Sequence, residues 1–160
     1  MISPEGPQRF SFRPRPIPVP GDLRIEWRIS LIVLMLGYSR AKQASLPKLH
    51  ILNDAIRSGR SERQLDLVVN TRAGMLPWTF RVEPAFARAI DFVVGDRLAS
   101  WTSTGGRSGL KLTNAGISLF DRLRSESDLL VGEQQVLIKY AKAITEASVG
   151  AVIGLKRGTR

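Results

Sequence analysis

RLASWTSTGGRSGLKLTNAG, residues 97–116, is the stretch on which the reading of the chain turns. Two short runs with extended character, Arg97 to Thr102 and Leu110 to Leu112, flank the turn sequence STGGRSG. Gly105, Gly106 and Gly109 supply the positive-φ positions that a tight hairpin turn requires. Thr113 then stands where its hydroxyl can accept from the open amides of a new helix, one that contains Gly116 and Leu119. On the other side, Pro84 opens a helix in which its missing N–H costs nothing, with Phe86, Ile90, Val93 and Val94 inward and an end near Gly95. The predicted order is helix, tight β-hairpin, helix.

That succession, with its LT..G helix start, is the late part of a winged helix. Working upstream, Asp22 is placed to cap a helix from Leu23 to about Gly37. Trp27, Leu31 and Leu34 share one face of it, and Ile32, Met35 and Leu36 make it apolar on most sides, which is expected of a central helix. The alternation Leu23, Ile25, Trp27, Ile29 also suits a strand, but the unbroken apolar run that follows favours a helix. Ser45 and Pro47 announce the next helix, with Leu49, Leu52 and Ile56 inside and Gly59 as its stop. A third helix is expected near Ser61, using Leu65, Leu67, Val68 and Val69, and Trp78 to Val82 reads as a short extended piece. Beyond Arg124 a charged link leads to Glu133 and a last helix through about Ile153, with Val136, Tyr140, Ile144 and Ala147 on one stripe. The fold class is therefore α+β and mostly helical: a proline-rich extended arm at 1–21, a winged-helix-type domain with a hairpin wing at 22–130, and a docking helix with a basic tail at 131–160.

Composition narrows the function classes. The 160 residues suit one domain with appendages, and a hydrophobic fraction of 43% is ordinary for a chain that buries a core. Zero cysteines exclude disulfide frameworks, thiol nucleophiles and cysteine-based metal sites. The start lacks a basic segment followed by an apolar one, and the run Leu31 to Leu36 is far short of the roughly 20 residues a membrane span needs. A cytoplasmic protein with no membrane contact is expected. The net charge of +10 draws the chain towards polyanions, but residues 1–80 hold +6 of it and residues 81–160 hold +4, so no half owns it. Six of the nine prolines fall in the first 20 residues, where Arg9, Phe10, Phe12, Arg13 and Arg15 put aromatic and cationic groups on a stiff arm.

Candidate chemistry is thin. His50, the single histidine, lies between Leu49 and Ile51 in a helix of ordinary pattern, so it is expected to be structural, with Asp54 four residues on to satisfy it. GGRSG lacks the Lys followed by Ser or Thr of a phosphate-gripping loop, and GLKRGT fails the same test, so no nucleotide or other cofactor site is expected. Catalytic and metal sites are likewise not expected. For nucleic acid, Arg81, Arg88, Arg107 and Lys111 are the candidate contacts, on the helix after Pro84 and on the wing. Asp91 and Glu83 dilute that surface, which favours non-specific phosphate contact over base reading. Phe10, Phe12, Val136, Tyr140 and Ile144 are the candidate partner-docking residues.

From Leu46 to Leu123 the order LPKLHILNDAIRS, FRVEPAFARAIDFVVGDRLAS and GLKLTNAGISLFDRL resembles the middle components of ABC-three-component systems, which include the small subunit of Lamassu-type bacterial antiphage defence. The resemblance implies a small helical and winged protein that bridges an SMC/Rad50-like ATPase and an effector subunit, often a nuclease, without being the enzyme itself. It covers about half the chain, carries over no catalytic residues and leaves the proline-rich arm outside. The resulting expectation is a non-catalytic accessory subunit of an antiphage or anti-plasmid complex. Its rival is a free-standing dimeric winged-helix transcription regulator, which would read an operator with half-sites about one helical turn apart.

Overall fold

The computed structural model describes residues 24–70, 78–79, 81 and 83–154, so the proline-rich arm, Asp22 and the basic tail lie outside the described residues. The chain is α+β and mostly helical. In order it forms α1 (Ile25–Tyr38), a 3-10 turn (Arg40–Lys42), β1 (Gln43–Ser45), α2 (Leu46–Arg57), α3 (Gly59–Asn70), α4 (Pro84–Gly95), β2 (Ala99–Thr104), β3 (Arg107–Leu112), α5 (Asn114–Ser125), α6 (Val131–Tyr140) and α7 (Glu146–Gly154). No described helix is long and apolar enough to cross a membrane.

Helix α1 is the hub. Every residue from Leu31 to Gly37 is buried, so the helix has no solvent face over its second half. It packs against α4, α5, α6 and β3 together. Complete burial of each Leu, Ile or Met contributes about 1.5–3 kcal/mol, so this one run is a large share of the core. The α1–α6 contact is fastened by Tyr38, whose hydroxyl donates to Gln134 Oε1 at 2.7 Å, while Gln134 Nε2 donates to the Leu129 carbonyl at 2.9 Å. Helix α1 starts at Ile25, two residues later than its sequence pattern suggests, with Arg24 at the cap position and no side-chain cap bond.

Two predicted caps are in place. Ser45 Oγ accepts from Lys48 N at the start of α2, and Thr113 Oγ1 accepts from Gly116 N at 3.2 Å at the start of α5. Helix α2 ends at Arg57, with Ser58 as the cap, and Gly59 opens α3 instead of merely stopping α2. Trp78, Thr79 and Arg81 are in no strand; Phe80 and Val82 of that predicted extended piece lie outside the described residues.

The hairpin is longer and its turn tighter than the sequence reading. Strands β2 and β3 pair antiparallel from Ala99–Leu112 to Thr104–Arg107, leaving a two-residue turn at Gly105 and Gly106 with φ of 59° and 73°. Positive φ at both positions matches the right-handed twist of the strands. Gly109 is therefore a strand residue, opposite Thr102 and Ser45, and not part of the turn. Strand β1, three residues that the sequence pattern does not reveal, adds to the other edge of β3 with Ala44 opposite Leu110, giving the order β1-β3-β2.

The expected single C-terminal helix is two. Residues 141–145 interrupt it, because the Thr145 hydroxyl accepts from Ser148 N at 3.1 Å and its carbonyl from Val149 N at 3.0 Å, a fresh helix start. Tyr140 and Ile144 are 1% and 2% exposed, and Val136 is half-buried against the same core. Those three positions thus cover the chain's own interior, with α6 on α1, α2 and α3 and with α7 on α2, while Ala147, expected on the same stripe, is exposed.

Gly116 shows how closely α5 is seated. The Leu98 carbonyl accepts from Thr113 N at 3.0 Å, and a Cβ built on Gly116 would run into that same carbonyl oxygen. Alanine is intrinsically the better helix residue by about 1 kcal/mol. The backbone contact outweighs it: Gly116→Ala is expected to lower stability by about 1–3 kcal/mol in a chemical denaturation experiment, the usual cost of overpacking. A variant as stable as the parent would show that α5 can move off the hairpin.

Candidate functional site

Glu83 gathers three elements. It sits at the start of α4, where its carbonyl accepts from Phe86 N at 3.0 Å and Ala87 N at 3.1 Å, and Pro84 follows in the first helical position. Its carboxylate takes Arg28 of α1 at 2.6 Å, Arg57 of α2, and Asn53 Nδ2 at 3.4 Å. Arg28 is 1% exposed. Burial would raise the Glu83 pKa, but the hydrogen bonds and charges of Arg28 and Arg57 override it and hold the group at about 2. The sequence carries one signal of this centre: Arg28 is a cation near the start of an otherwise apolar helix and needs a counter-charge.

Beside it, Trp78 Nε1 donates to Asp54 Oδ2 at 3.0 Å, and the His50 ring lies 5.1 Å from that of Phe86. Burial lowers the His50 pKa, against the pull of Asp54 and Glu83, so the ring is neutral near pH 7. Burial also raises the Asp54 pKa, opposed by the Trp78 hydrogen bond and by the charges of His50, Arg57 and Arg81. Asp54 thus spends its hydrogen bond on Trp78 and serves His50 through charge. Glu83, Asp54 and Trp78 border a cleft of about 740 Å³ whose walls include Arg57, Arg60, Arg81, Ser58 and Ser61, while His50 and Phe86 lie off it. Among the described residues no three histidine, aspartate or glutamate side chains group to hold a metal ion.

The four cations expected to meet nucleic acid sit in different settings. Arg81 is exposed at the cleft, Arg88 is exposed on α4, and Lys111 is exposed on β3. Arg107 instead folds back on α7: its NH2 group reaches the Glu146 carbonyl at 2.6 Å and the Glu146 carboxylate at 3.2 Å. It spends its charge inside the molecule. Of the residues expected to dock a partner, Phe10 and Phe12 lie outside the described residues, while Tyr140 and Ile144 are core. Tyr140 also donates to Asp66 Oδ1 at 2.8 Å. Those two side chains are covered by their own fold.

Sequence reasoning passed over two aromatic side chains that are open. Phe92 of α4 is 47% exposed and Trp101 of β2 is 54% exposed, on elements that pack on each other. Phe92 falls off the Phe86–Ile90–Val93 stripe, which is the helical signal that would have placed it outward. Around it on α4, Ala87, Arg88 and Asp91 are also exposed. No protein family, curated protein or solved structure matches the chain.

The Glu83 centre carries a measurable pH dependence. A carboxyl held at about 2 when folded and near 4.5 when unfolded stabilises the protein fully above the higher value, and that contribution is lost as pH falls towards the lower one. Glu83→Ala strands Arg28 and is expected to cost about 3–5 kcal/mol at neutral pH, whereas Arg28→Met combined with Glu83→Gln costs much less. Denaturant melts of the three proteins between neutral and acid pH check both statements. An acid limb as steep in the double variant as in the parent would remove Glu83 as its source.

Proposed function

We propose that α1 to α5 form a winged-helix-type domain and that the chain is a non-catalytic accessory subunit. It docks on an SMC/Rad50-like ATPase and links it to an effector in an antiphage or anti-plasmid complex. The sheet order β1-β3-β2, with a hairpin directly after α4 and a helix after the hairpin, supports the fold reading. In such a domain α4 stands where a recognition helix would enter a groove.

The outward face of that helix carries the functional reading. Base reading draws on Arg, Lys, Asn and Gln. Helix α4 exposes one cation, Arg88, among Ala87, Asp91 and Phe92, with Trp101 open on the adjacent strand. Half-exposed aromatic rings are what protein interfaces use as anchors. The ATPase as partner rests on the resemblance of residues 46–123 alone. Arg88, Lys111 and Arg81 steer the assembly towards DNA without reading it.

Affinity purification of the tagged chain from its native host tests this directly. The expected result is a stoichiometric coiled-coil ATPase, retained in high salt. Trp101→Ala and Phe92→Ala leave the fold intact and each weaken that complex by about 2 kcal/mol, roughly thirtyfold. Recovery as a homodimer on one short DNA sequence would overturn the reading in favour of a transcription regulator.

A further inference from the structure

Lys48 is the buried cation that nothing so far employs. It lies in the first turn of α2, its backbone N–H on Ser45 Oγ at 3.4 Å. The residue is 2% exposed, yet its ammonium makes no hydrogen bond or ion pair with any described residue. It lines a cavity of about 210 Å³ with Arg40, Gln43, Thr104, Thr145 and Glu146. A site for one water needs only about 10–15 Å³, so this space takes something larger.

The cavity's single carboxylate is already committed. Glu146 Oε1 accepts from Ser45 N at 3.1 Å, and Oε2 is paired with Arg107 at 3.2 Å. Arg40 brings a second cation to the walls and has no ion pair among the described residues. Burial lowers the Lys48 pKa to about 8; Glu146 pulls it up and Arg40 pushes it further down. Thr104 Oγ1 takes Gln43 Nε2 at 3.5 Å, which leaves its own proton to give. The Lys48 ammonium, on a residue otherwise buried, opens onto the cavity, where the like charge of Arg40 beside it is relieved when an anion joins the two cations.

We propose that this cavity binds the phosphate group of a small molecule, with Lys48 and Arg40 balancing its charge and Thr104 donating to a third oxygen. Three donors on different elements suit a tetrahedral oxyanion better than a two-oxygen carboxylate. Inorganic phosphate and a small phosphomonoester share this chemistry. The site is independent of the α4 docking face, so either reading can fail alone.

Calorimetric titration of the full chain with sodium phosphate, and separately with glycerol 3-phosphate, tests it. In parallel, an amine-acylating reagent at about pH 8 reports on Lys48 by peptide mass mapping, near the value to which its pKa is lowered. One phosphate per chain is expected to bind. At about ten times its Kd it slows Lys48 acylation about tenfold, relative to chloride at equal ionic strength. Tighter binding of glycerol 3-phosphate identifies an esterified ligand, and equal binding identifies free phosphate. Lys48→Met, which retains the apolar stem, is expected to fold and to lose phosphate binding. Arg40→Ala, at an exposed position, keeps the fold and weakens binding several-fold even if Lys48→Met does not fold. Equal acylation in phosphate and chloride, or an unchanged Kd in Arg40→Ala, would overturn the proposal.

Discussion

A helix that is apolar on every side must be covered on every side, and α1 imposes that constraint on the rest of this chain. Leu31 to Gly37 leave no face for water, so no single neighbour can satisfy the helix. Four elements distant in sequence, α4, α5, α6 and β3, close around it. The amphipathic helices have one apolar stripe each and a polar back, which lets them form the shell. The hairpin, its turn and the seat of Gly116 against Leu98 are consequences of fitting α5 and the sheet onto the same cylinder.

A charge on α1 itself enters this apolar centre, and it fixes the relation of three helices. Arg28 lies on α1 where the burial becomes complete, and its counter-ion Glu83 is the cap residue of α4. Arg57 from the last turn of α2 shares the same oxygen. The attraction is worth little as net stability, because both ions are drawn from water. Its value lies in geometry: any register of α1 against α2 and α4 other than this one leaves a cation in the core without its carboxylate.

The parts of the fold legible in the sequence are those governed by local chemistry. Ser45 and Thr113 cap helices because their hydroxyls meet amides three residues away, and Gly105-Gly106 turns because only glycine takes positive φ cheaply. Strand β1 escaped notice, since three residues hold no period and their pairing partner lies more than sixty residues downstream. The break between α6 and α7 was hidden because Tyr140 at the end of α6 and Ile144 within the break both face the core at helical spacing. The Glu83 centre and the Lys48 cavity were illegible for a different reason. Each joins residues from separate elements, and an isolated Glu or Lys in a helix looks like solvated surface until the fold buries it.

The charge of the chain is dispersed by the same folding, and this bears on what its surface can do. Of its 24 cationic residues, Arg28, Arg57, Arg107 and Lys139 are held in ion pairs with Glu83, Glu146 and Asp66. Arg107 is the instructive case: beside the hairpin turn, its guanidinium secures α7 to the sheet. Arg81, Arg88 and Lys111, the exposed candidates for phosphate contact, lie apart in the fold, on the segment before α4, on α4 and on β3. Dispersed positive charge raises encounter rates with any polyanion but cannot discriminate between sequences, because discrimination needs donors in fixed register with base edges. Shape and apolar contact discriminate where dispersed charge does not. Phe92 on α4 and Trp101 on β2, elements that pack on each other, are two aromatic side chains open to contact of that kind.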